Sequence, residues 1–348
     1  MARAYPMIDG LRGFGALSIA SYHTFRYGPL PEAAREILPD FITRVFDSGW
    51  MAVQWFFVIA GWSAVMSSQG RAPGLAEFPK RMGKRILRLG PAYWIAVLLA
   101  AFLTILAIGV ADDHSLNQSM PSWHQLVAHL CFLQDILGYD CLTTGIWFVA
   151  IALQLEAVFL ILLGLSMACE RDREKQYPRP IWLLLFFSPP ALWSLFISAH
   201  ITEHDIWFIK FFSLYTIGIL LGWKIAHRVP AVIFWVFVGL VTAVGCWLEV
   251  LEMLIASLAG VVLYVADATG QLENKLRHPL PQFLGRISYC LFVIHYPIVW
   301  LVTRGGELLT GTQPFPAVCW LGCGILASIL AATGLQKFID RFLIPAKC

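Results

Sequence analysis

Charged residues are scarce in this chain, and their scarcity argues against a soluble globular protein. Only 14% of the 348 residues are charged, whereas 58% are hydrophobic and the mean hydropathy is +0.69. Soluble domains carry about 25% charged residues. The 25 Lys and Arg residues nearly balance the 22 Asp and Glu residues, and a net charge of +3 is too small to indicate a nucleic-acid partner. The composition indicates a polytopic helical membrane protein.

No two of the eight cysteines are spaced as CxxC, so neither a zinc knuckle nor a redox motif is indicated. Most lie in apolar runs, where cysteine behaves as a small hydrophobic residue. Cys131 and Cys141 share one segment between apolar runs and could form a disulfide bond in an oxidising compartment. Spacing alone does not fix the Cα geometry of such a bond, so the sequence leaves it open.

Ten apolar runs approach the length of about 20 residues that a membrane-spanning helix needs. A shorter stretch, 123–137, is expected to be interfacial or re-entrant. We therefore predict an all-α bundle of about ten transmembrane helices in a single domain, 1–348. The predicted spans are 8–28, 48–67, 87–109, 145–168, 181–199, 206–225, 229–247, 250–267, 282–303 and 316–339.

The basic residues favour one orientation of these spans. If the N-terminus is cytoplasmic and all ten runs cross, the cytoplasmic segments hold most of the 25 basic residues. Such an excess is what the positive-inside rule predicts. An eleventh span at 123–137 would invert every later loop and remove the asymmetry. Both termini are therefore expected inside.

The first span carries ionisable residues: Asp9, Arg12 and His23 lie in or beside its apolar sequence. Ionisable groups in a span are costly and by default mark a functional interior. Arg12 and His23 are eleven residues apart, which places them on the same helical face and about 16 Å apart along the axis. The structural alternative is an arginine reaching the inner interface and a histidine hydrogen-bonded within the bundle.

A basic cluster leads into the third span. Arg85 and Arg88 are three residues apart and so are neighbours on one helical face. From spacing alone, topology and attraction to anionic lipid explain the cluster best. The alternative is a seat for the phosphates of a cytosolic donor, because arginine offers a bidentate fork.

Other polar residues fall within later spans. Gln154 and Glu156 lie in the fourth, where an ionisable side chain is expected to face the interior. His295 lies in the ninth and, taken alone, is explained by hydrogen bonding in the bundle. The sequence HITEH, residues 200–204, formally matches a metal motif but fills a short connection, so no metal site is predicted.

Four motifs occur in a familiar order along nearly the whole chain. They are IDGLRGFGALSIASYH at 8–23, WFFVIAGW at 55–62, KRILRLGPAYW at 84–94 and LGRISYCLFVIHYP at 284–297. Together they resemble the membrane-bound acyltransferase-3 family, which includes the O-antigen and Nod-factor O-acetylases. The resemblance implies a ten-span fold in the bacterial inner membrane.

The resemblance also implies an activity: transfer of an acyl group, most often acetyl, from cytosolic acyl-CoA to a hydroxyl. The acceptor it implies is an envelope glycan, a lipid-linked saccharide or a similar small molecule. Acyl-CoA would be a co-substrate, with no tightly bound cofactor. The family's catalytic arginine and histidine match Arg12 and His23, its donor-binding arginines match Arg85 and Arg88, and its late histidine matches His295.

Two positions depart from the family pattern. Ala60 replaces a usual serine. Many members also carry a glutamate five residues after the tryptophan that matches Trp147, whereas this chain has Ala152 there and Glu156 further on. A role for Glu156 and a subfamily with Gln154 as the local polar group are both compatible with the sequence.

The expected mechanism uses His23 as general base on the acceptor hydroxyl or as a transient acyl carrier, since imidazole suits both roles near neutral pH. Asp9 is expected to orient Arg12 or to cap the helix. The rival functions are a transporter or flippase of a glycan or lipid intermediate, and a non-catalytic membrane sensor on the same scaffold.

Overall fold

A computed structural model gives the fold of residues 5–68, 70–117, 119–172, 174–198 and 201–342, apart from the side chain of residue 202. Within these ranges every regular element is helical. The α-helices are α1 Pro6–Thr24, α2 Pro29–Arg35, α3 Asp40–Asp47, α4 Ala52–Ser68, α5 Phe78–Ala111, α6 Trp123–Leu130, α7 Ile146–Ala168, α8 Pro180–Phe196, α9 Phe208–Ile225, α10 Ala231–Trp247, α11 Leu251–Ala268, α12 Gln271–Asn274, α13 Pro279–Thr310 and α14 Pro314–Phe342.

Seven helical stretches of the described chain are long and apolar enough to cross a membrane. Each of the ten predicted spans corresponds to a helix, but α8 and α10 have 17 residues each, and α1 is not among the seven. The count of ten and the orientation of the termini stay predictions. The seven stretches are Asp40–Ser68, Leu75–Ala111, Ile146–Ala168, Phe208–Ile225, Leu251–Ala268, Pro279–Thr310 and Pro314–Phe342.

The described chain divides into two compact units, each assembled from separate segments. The first unit holds residues 53–86 and 148–275, and the second holds residues 5–52, 87–147 and 276–342. The boundary crosses α5 after Ile86. The single domain predicted over 1–348 stays a prediction.

In the first unit, α9 is almost entirely buried. Its glycines allow close approach to α4: a Cβ at Gly218 would overlap the carbonyl oxygen of Val58, and one at Gly61 would overlap that of Tyr215. On another side, the rings of Phe187, Phe212 and Trp223 pack together. Small residues let helices pack closely in membranes, where van der Waals contact drives association.

In the second unit, α1 packs along α13, and α13 packs along α14. The crossing of α1 and α13 depends on Gly13 and Gly285. A Cβ added at Gly13 would lie 2.5 Å from the nitrogen of Gly285, and one added at Gly285 would overlap the carbonyl oxygen of Asp9. Glycine therefore sets the distance between these two helices.

The segment between α5 and α7 also belongs to the second unit and contains α6. Buried His129 contacts the carbonyl oxygen of Gln125 through Nδ1 at 2.8 Å and accepts the N–H of Leu142 at Nε2, 3.1 Å away. Burial lowers the pKa of His129. Cys131 and Cys141 are free thiols, and the thiol of Cys141 donates to Asp135 at 3.3 Å. These contacts order the segment that leads to α7.

The close crossing of α1 and α13 predicts that Gly13→Ala destabilises the protein. The added methyl group meets backbone that cannot move aside, and overpacking costs about 1–3 kcal/mol. Unfolding of the purified protein in detergent, followed by temperature or denaturant, measures the loss. Gly322→Ala in α14 is the matched control, because a Cβ there meets no atom within 4 Å. Equal stability of the two variants would contradict this account of the crossing.

Candidate active site

Two histidines that are 272 residues apart in the sequence meet in the second unit. His23 lies in the last turn of α1, and His295 lies in the middle of α13. His23 Nδ1 is 2.8 Å from His295 Nε2, and the two ring planes differ by 6°. The His295 side chain is fully buried. The structure thus brings together two of the sequence-predicted site residues, His23 and His295.

Each ring of this histidine pair also contacts groups outside the pair. His295 Nδ1 lies 2.8 Å from the carbonyl oxygen of Phe292 and 3.1 Å from that of Leu291, both on the preceding turn of α13. Thr144 Oγ1, just before α7, lies 3.3 Å from His23 Nδ1. Sequence analysis missed Thr144, because a threonine between apolar runs carries no signal of its own.

A cleft of about 50 Å³ opens beside His23 within the second unit. Tyr27, Tyr296 and Trp300 line it. The ring of Tyr296 stands edge-on to those of His23 and Tyr27, with centroids 6.4 and 5.4 Å apart. His23 is partly exposed, so this cleft gives an outside molecule a route to its ring.

Charged groups fix the wall of this cleft. Arg304 pairs with Asp113 at 2.6 Å and with Glu307 at 2.7 Å, and Trp300 Nε1 donates to Ser115 at 2.9 Å. Burial would raise the pKa of Asp113, but hydrogen bonds from Ser115 and Arg304 outweigh it and hold that pKa below its ordinary value. These bonds tie the segment after α5 to α13.

Arg12 lies elsewhere on the same helix. Because α1 is continuous from Pro6 to Thr24, Arg12 and His23 do share a face, about 16 Å apart along the axis. Arg12 pairs with Asp9 at 3.5 Å, and both side chains are partly exposed. The capping alternative for Asp9 is wrong, because Tyr5 occupies the cap position and Asp9 lies in the first turn.

The predicted donor-binding residues share α5. Arg88 is exposed and belongs to the second unit, whereas Arg85 is partly buried and belongs to the first. In the first unit, Glu156 on α7 interacts electrostatically with Arg85 and Arg81. Glu156 therefore has the cationic neighbours that an acid in a span requires.

Tyr215 joins the Arg85 and Glu156 cluster within the first unit. It is 1% exposed and interacts electrostatically with both residues. The Tyr215 hydroxyl and Arg85 Nε are buried with no hydrogen-bond partner in the described part of the chain. Buried polar atoms usually have a hydrogen-bond partner. These two atoms could therefore bind a ligand or a water molecule. Sequence analysis missed Tyr215, whose one signal is a polar aromatic residue inside an apolar run.

Gln154, unlike Glu156, forms hydrogen bonds with the backbone next to the start of α9. Its amide nitrogen donates to the carbonyl oxygen of Ile206 at 3.1 Å, and its amide oxygen accepts the N–H of Phe208 at 2.9 Å. It thus holds the chain where α9 begins. Both ends of the amide are engaged with backbone.

The structure describes His204 of the HITEH sequence and leaves the metal motif untested as a whole. His200 lies outside the described residues, and His204 Nδ1 contacts Ser198 Oγ at 2.6 Å. Across the ranges that the structure covers, no three His, Cys, Asp or Glu residues are grouped so that they could hold a metal ion.

A family model described as an acyltransferase domain, acyltransferase-3, matches residues 5–336. The match covers α1 with His23, α13 with His295 and most of α14. No curated protein and no solved structure matches the chain significantly.

The contacts of Gln154 predict that Gln154→Leu lowers stability. Both partly buried backbone groups at the start of α9 would lose their partner. A fully buried unsatisfied group costs about 1–3 kcal/mol, so we expect a loss near the lower end of that range. Thermal unfolding in detergent measures the change. The matched control is Gln125→Leu, which removes an exposed bond to the carbonyl oxygen of Asp140 that water can replace. A Gln154→Leu protein as stable as wild type would refute the structural role.

Proposed function

Since the chain belongs to the acyltransferase-3 family, we propose that it transfers an acyl group, acetyl in the first instance, from acyl-CoA to a hydroxyl. The acceptor we propose is a glycan or a lipid-linked saccharide of the bacterial envelope, reached from the inner membrane. The observation that carries the proposal is the 2.8 Å contact of His23 with His295 beside an open cleft.

The character of the cleft supports a polar organic acceptor. The faces of Tyr27 and Trp300 suit the C–H faces of a sugar ring, and the acidic and basic groups around Arg304 suit its hydroxyls. Binding sites commonly combine apolar walls with a few fixed polar groups in this way. The size of the cleft fits part of one sugar unit rather than a whole glycan.

The reaction requires a group that removes the acceptor proton, and His23 is the candidate at the cleft. In the direct route, His23 takes the proton of the hydroxyl as its oxygen attacks the thioester carbon. The carbon–sulfur bond then breaks, and the thiolate of CoA takes the proton from His23. In the alternative route His23 attacks the thioester carbon, the carbon–sulfur bond breaks and CoA leaves as the thiolate. The acceptor hydroxyl then takes the acyl group from His23, and its proton goes to the thiolate. Label on the protein distinguishes the two routes.

The donor's phosphates need cations, and α5 supplies them. Arg85 and Arg88 are separated by one turn, and an arginine binds phosphate through two parallel hydrogen bonds. Among the described residues of the first unit, Arg85 Nε and the Tyr215 hydroxyl are two of the buried hydrogen-bond donors without a partner, and a polar part of acyl-CoA would satisfy them. The family match gives no support to the rival transporter function.

The proposal predicts that His23→Ala abolishes transfer while the protein still folds. A positioned general base contributes about 10²–10⁴-fold to rate. The assay supplies radiolabelled acetyl-CoA to purified protein in nanodiscs and follows CoA release and label on the acceptor or the protein. His124→Ala, at an exposed histidine whose ring lies tilted against that of Trp123, controls for loss of an imidazole. Wild-type turnover by His23→Ala would contradict the proposal.

Donor binding by Arg85 predicts a rise in the KM for acyl-CoA. Arg85→Lys keeps the charge but loses the fork, and we expect about a tenfold higher KM with a smaller change in kcat. Arg85→Ala would also strip Glu156 of a cationic neighbour. The double variant Arg85→Ala/Glu156→Gln removes that complication and should show the larger rise. An unchanged KM in both proteins would exclude Arg85 from the donor site.

A further inference from the structure

We propose that His295 is a positioning residue that holds His23 in one tautomer, with hydrogen on Nδ1, so that His23 Nε2 is the reacting atom. The inference rests on the proposed function only in taking His23 as the reacting group. The tautomer itself follows from the contacts of the two rings. It assigns His295 a task that the family match does not supply.

The first step concerns the ring of His295. Its Nδ1 faces the carbonyl oxygens of Leu291 and Phe292, at 3.1 and 2.8 Å. Carbonyl oxygens only accept hydrogen bonds, so Nδ1 must carry the hydrogen and donate it. A neutral imidazole has one N–H, which leaves Nε2 of His295 as an acceptor. Two contacts with the helix backbone therefore fix the state of the buried ring.

The second step transfers this constraint to His23. The Nδ1 of His23 lies 2.8 Å from the accepting Nε2 of His295, so Nδ1 must be the donor. Thr144 Oγ1, 3.3 Å away, can share the same hydrogen as a weaker acceptor. The hydrogen of a neutral His23 is thus on Nδ1, and the lone pair lies on Nε2. The hydrogen bond of one ring nitrogen decides the state of the other.

The assignment specifies where the protons go. Nε2 of His23 takes the acceptor's hydroxyl proton as the new carbon–oxygen bond forms, and it returns that proton to the departing CoA thiolate. The hydrogen on Nδ1 stays in place throughout, bonded to His295. His295 keeps its own hydrogen on Nδ1 and remains neutral. The ring pair gains one positive charge during attack and loses it when the thiol leaves.

The choice of histidine as the orienting group follows from its surroundings. His295 is fully buried on a helix of membrane-spanning length. A carboxylate at that position would carry an unpaired charge in a low-dielectric interior, which is costly. A neutral imidazole orients its partner without that charge. Its cost is weaker stabilisation of the imidazolium that forms on His23.

The tautomer can be measured without any reaction. Full-length protein labelled with ¹⁵N-histidine in nanodiscs gives long-range proton–nitrogen NMR spectra, and the His23 signals are identified by their loss in His23→Asn. We expect the Nδ1–H form in wild type. We expect a smaller share of the Nδ1–H form in His295→Leu, where the weaker acceptor Thr144 is left, and its retention in His295→Gln, whose side-chain oxygen can accept from Nδ1. An Nε2–H form in wild type, or a share of the Nδ1–H form that is unchanged in His295→Leu, would overturn the proposal.

Enzyme kinetics of the His295 variants provide a second test, independent of the NMR spectra. His295→Leu should lower kcat by about 10²-fold, the lower range for a positioned base, with little change in the KM for acyl-CoA. His295→Gln should restore most of the rate. Ser328→Ala is the matched control, because Ser328 is buried and donates to the backbone oxygen of His295, not to its ring. Equal kcat losses in His295→Leu, His295→Gln and Ser328→Ala would show a merely structural role and overturn the proposal.

The two arms separate this inference from the proposed function. If wild-type protein transfers no acyl group from any acyl-CoA, the proposed function fails, and the NMR spectra still decide the tautomer. If His23→Ala is inactive but His295→Leu turns over at the wild-type rate, the function stands and the role of His295 is refuted.

Discussion

The close crossing of α1 and α13 is the packing constraint on which the candidate site depends. Gly13 and Gly285 let the two backbones approach to a distance that side chains would forbid. Further along the same pair of helices, that approach brings His23 within hydrogen-bond distance of His295. A histidine in the last turn of one helix and a histidine in the middle of another thereby become one chemical unit.

Much of this arrangement was predictable from the sequence. The ten apolar runs all became helices, because long apolar segments satisfy their backbone groups internally. His23 could be singled out because ionisable groups in a span are costly and by default mark a functional interior, whereas His295 was singled out by the family resemblance. The family resemblance drawn from four motifs is confirmed by the match over residues 5–336. Arg12 and His23 share a face, as their spacing on one helix required.

The remaining features depend on tertiary contacts that spacing does not encode. Nothing in the sequence shows that His295 Nδ1 is occupied by carbonyl oxygens, although this contact decides the tautomer of His23. Tyr215 joins Arg85 and Glu156 only because α9 is buried in the first unit. Gln154 looked equivalent to Glu156 by position, yet it binds backbone at the start of α9. Hydropathy alone also could not separate helices of 17 residues from longer spans.

The central claim is that acyl transfer takes place at His23 Nε2. A cryo-EM structure of the full-length protein in nanodiscs with a non-hydrolysable thioether analogue of acetyl-CoA tests it most directly. The account predicts that the carbonyl carbon of the analogue lies close enough to His23 for one hydroxyl oxygen to contact both that carbon and Nε2. Reacting atoms must approach to about 3–3.5 Å. An acyl group seated away from His23, for instance in the apolar groove lined by Leu184, Phe187 and Leu240, would contradict it.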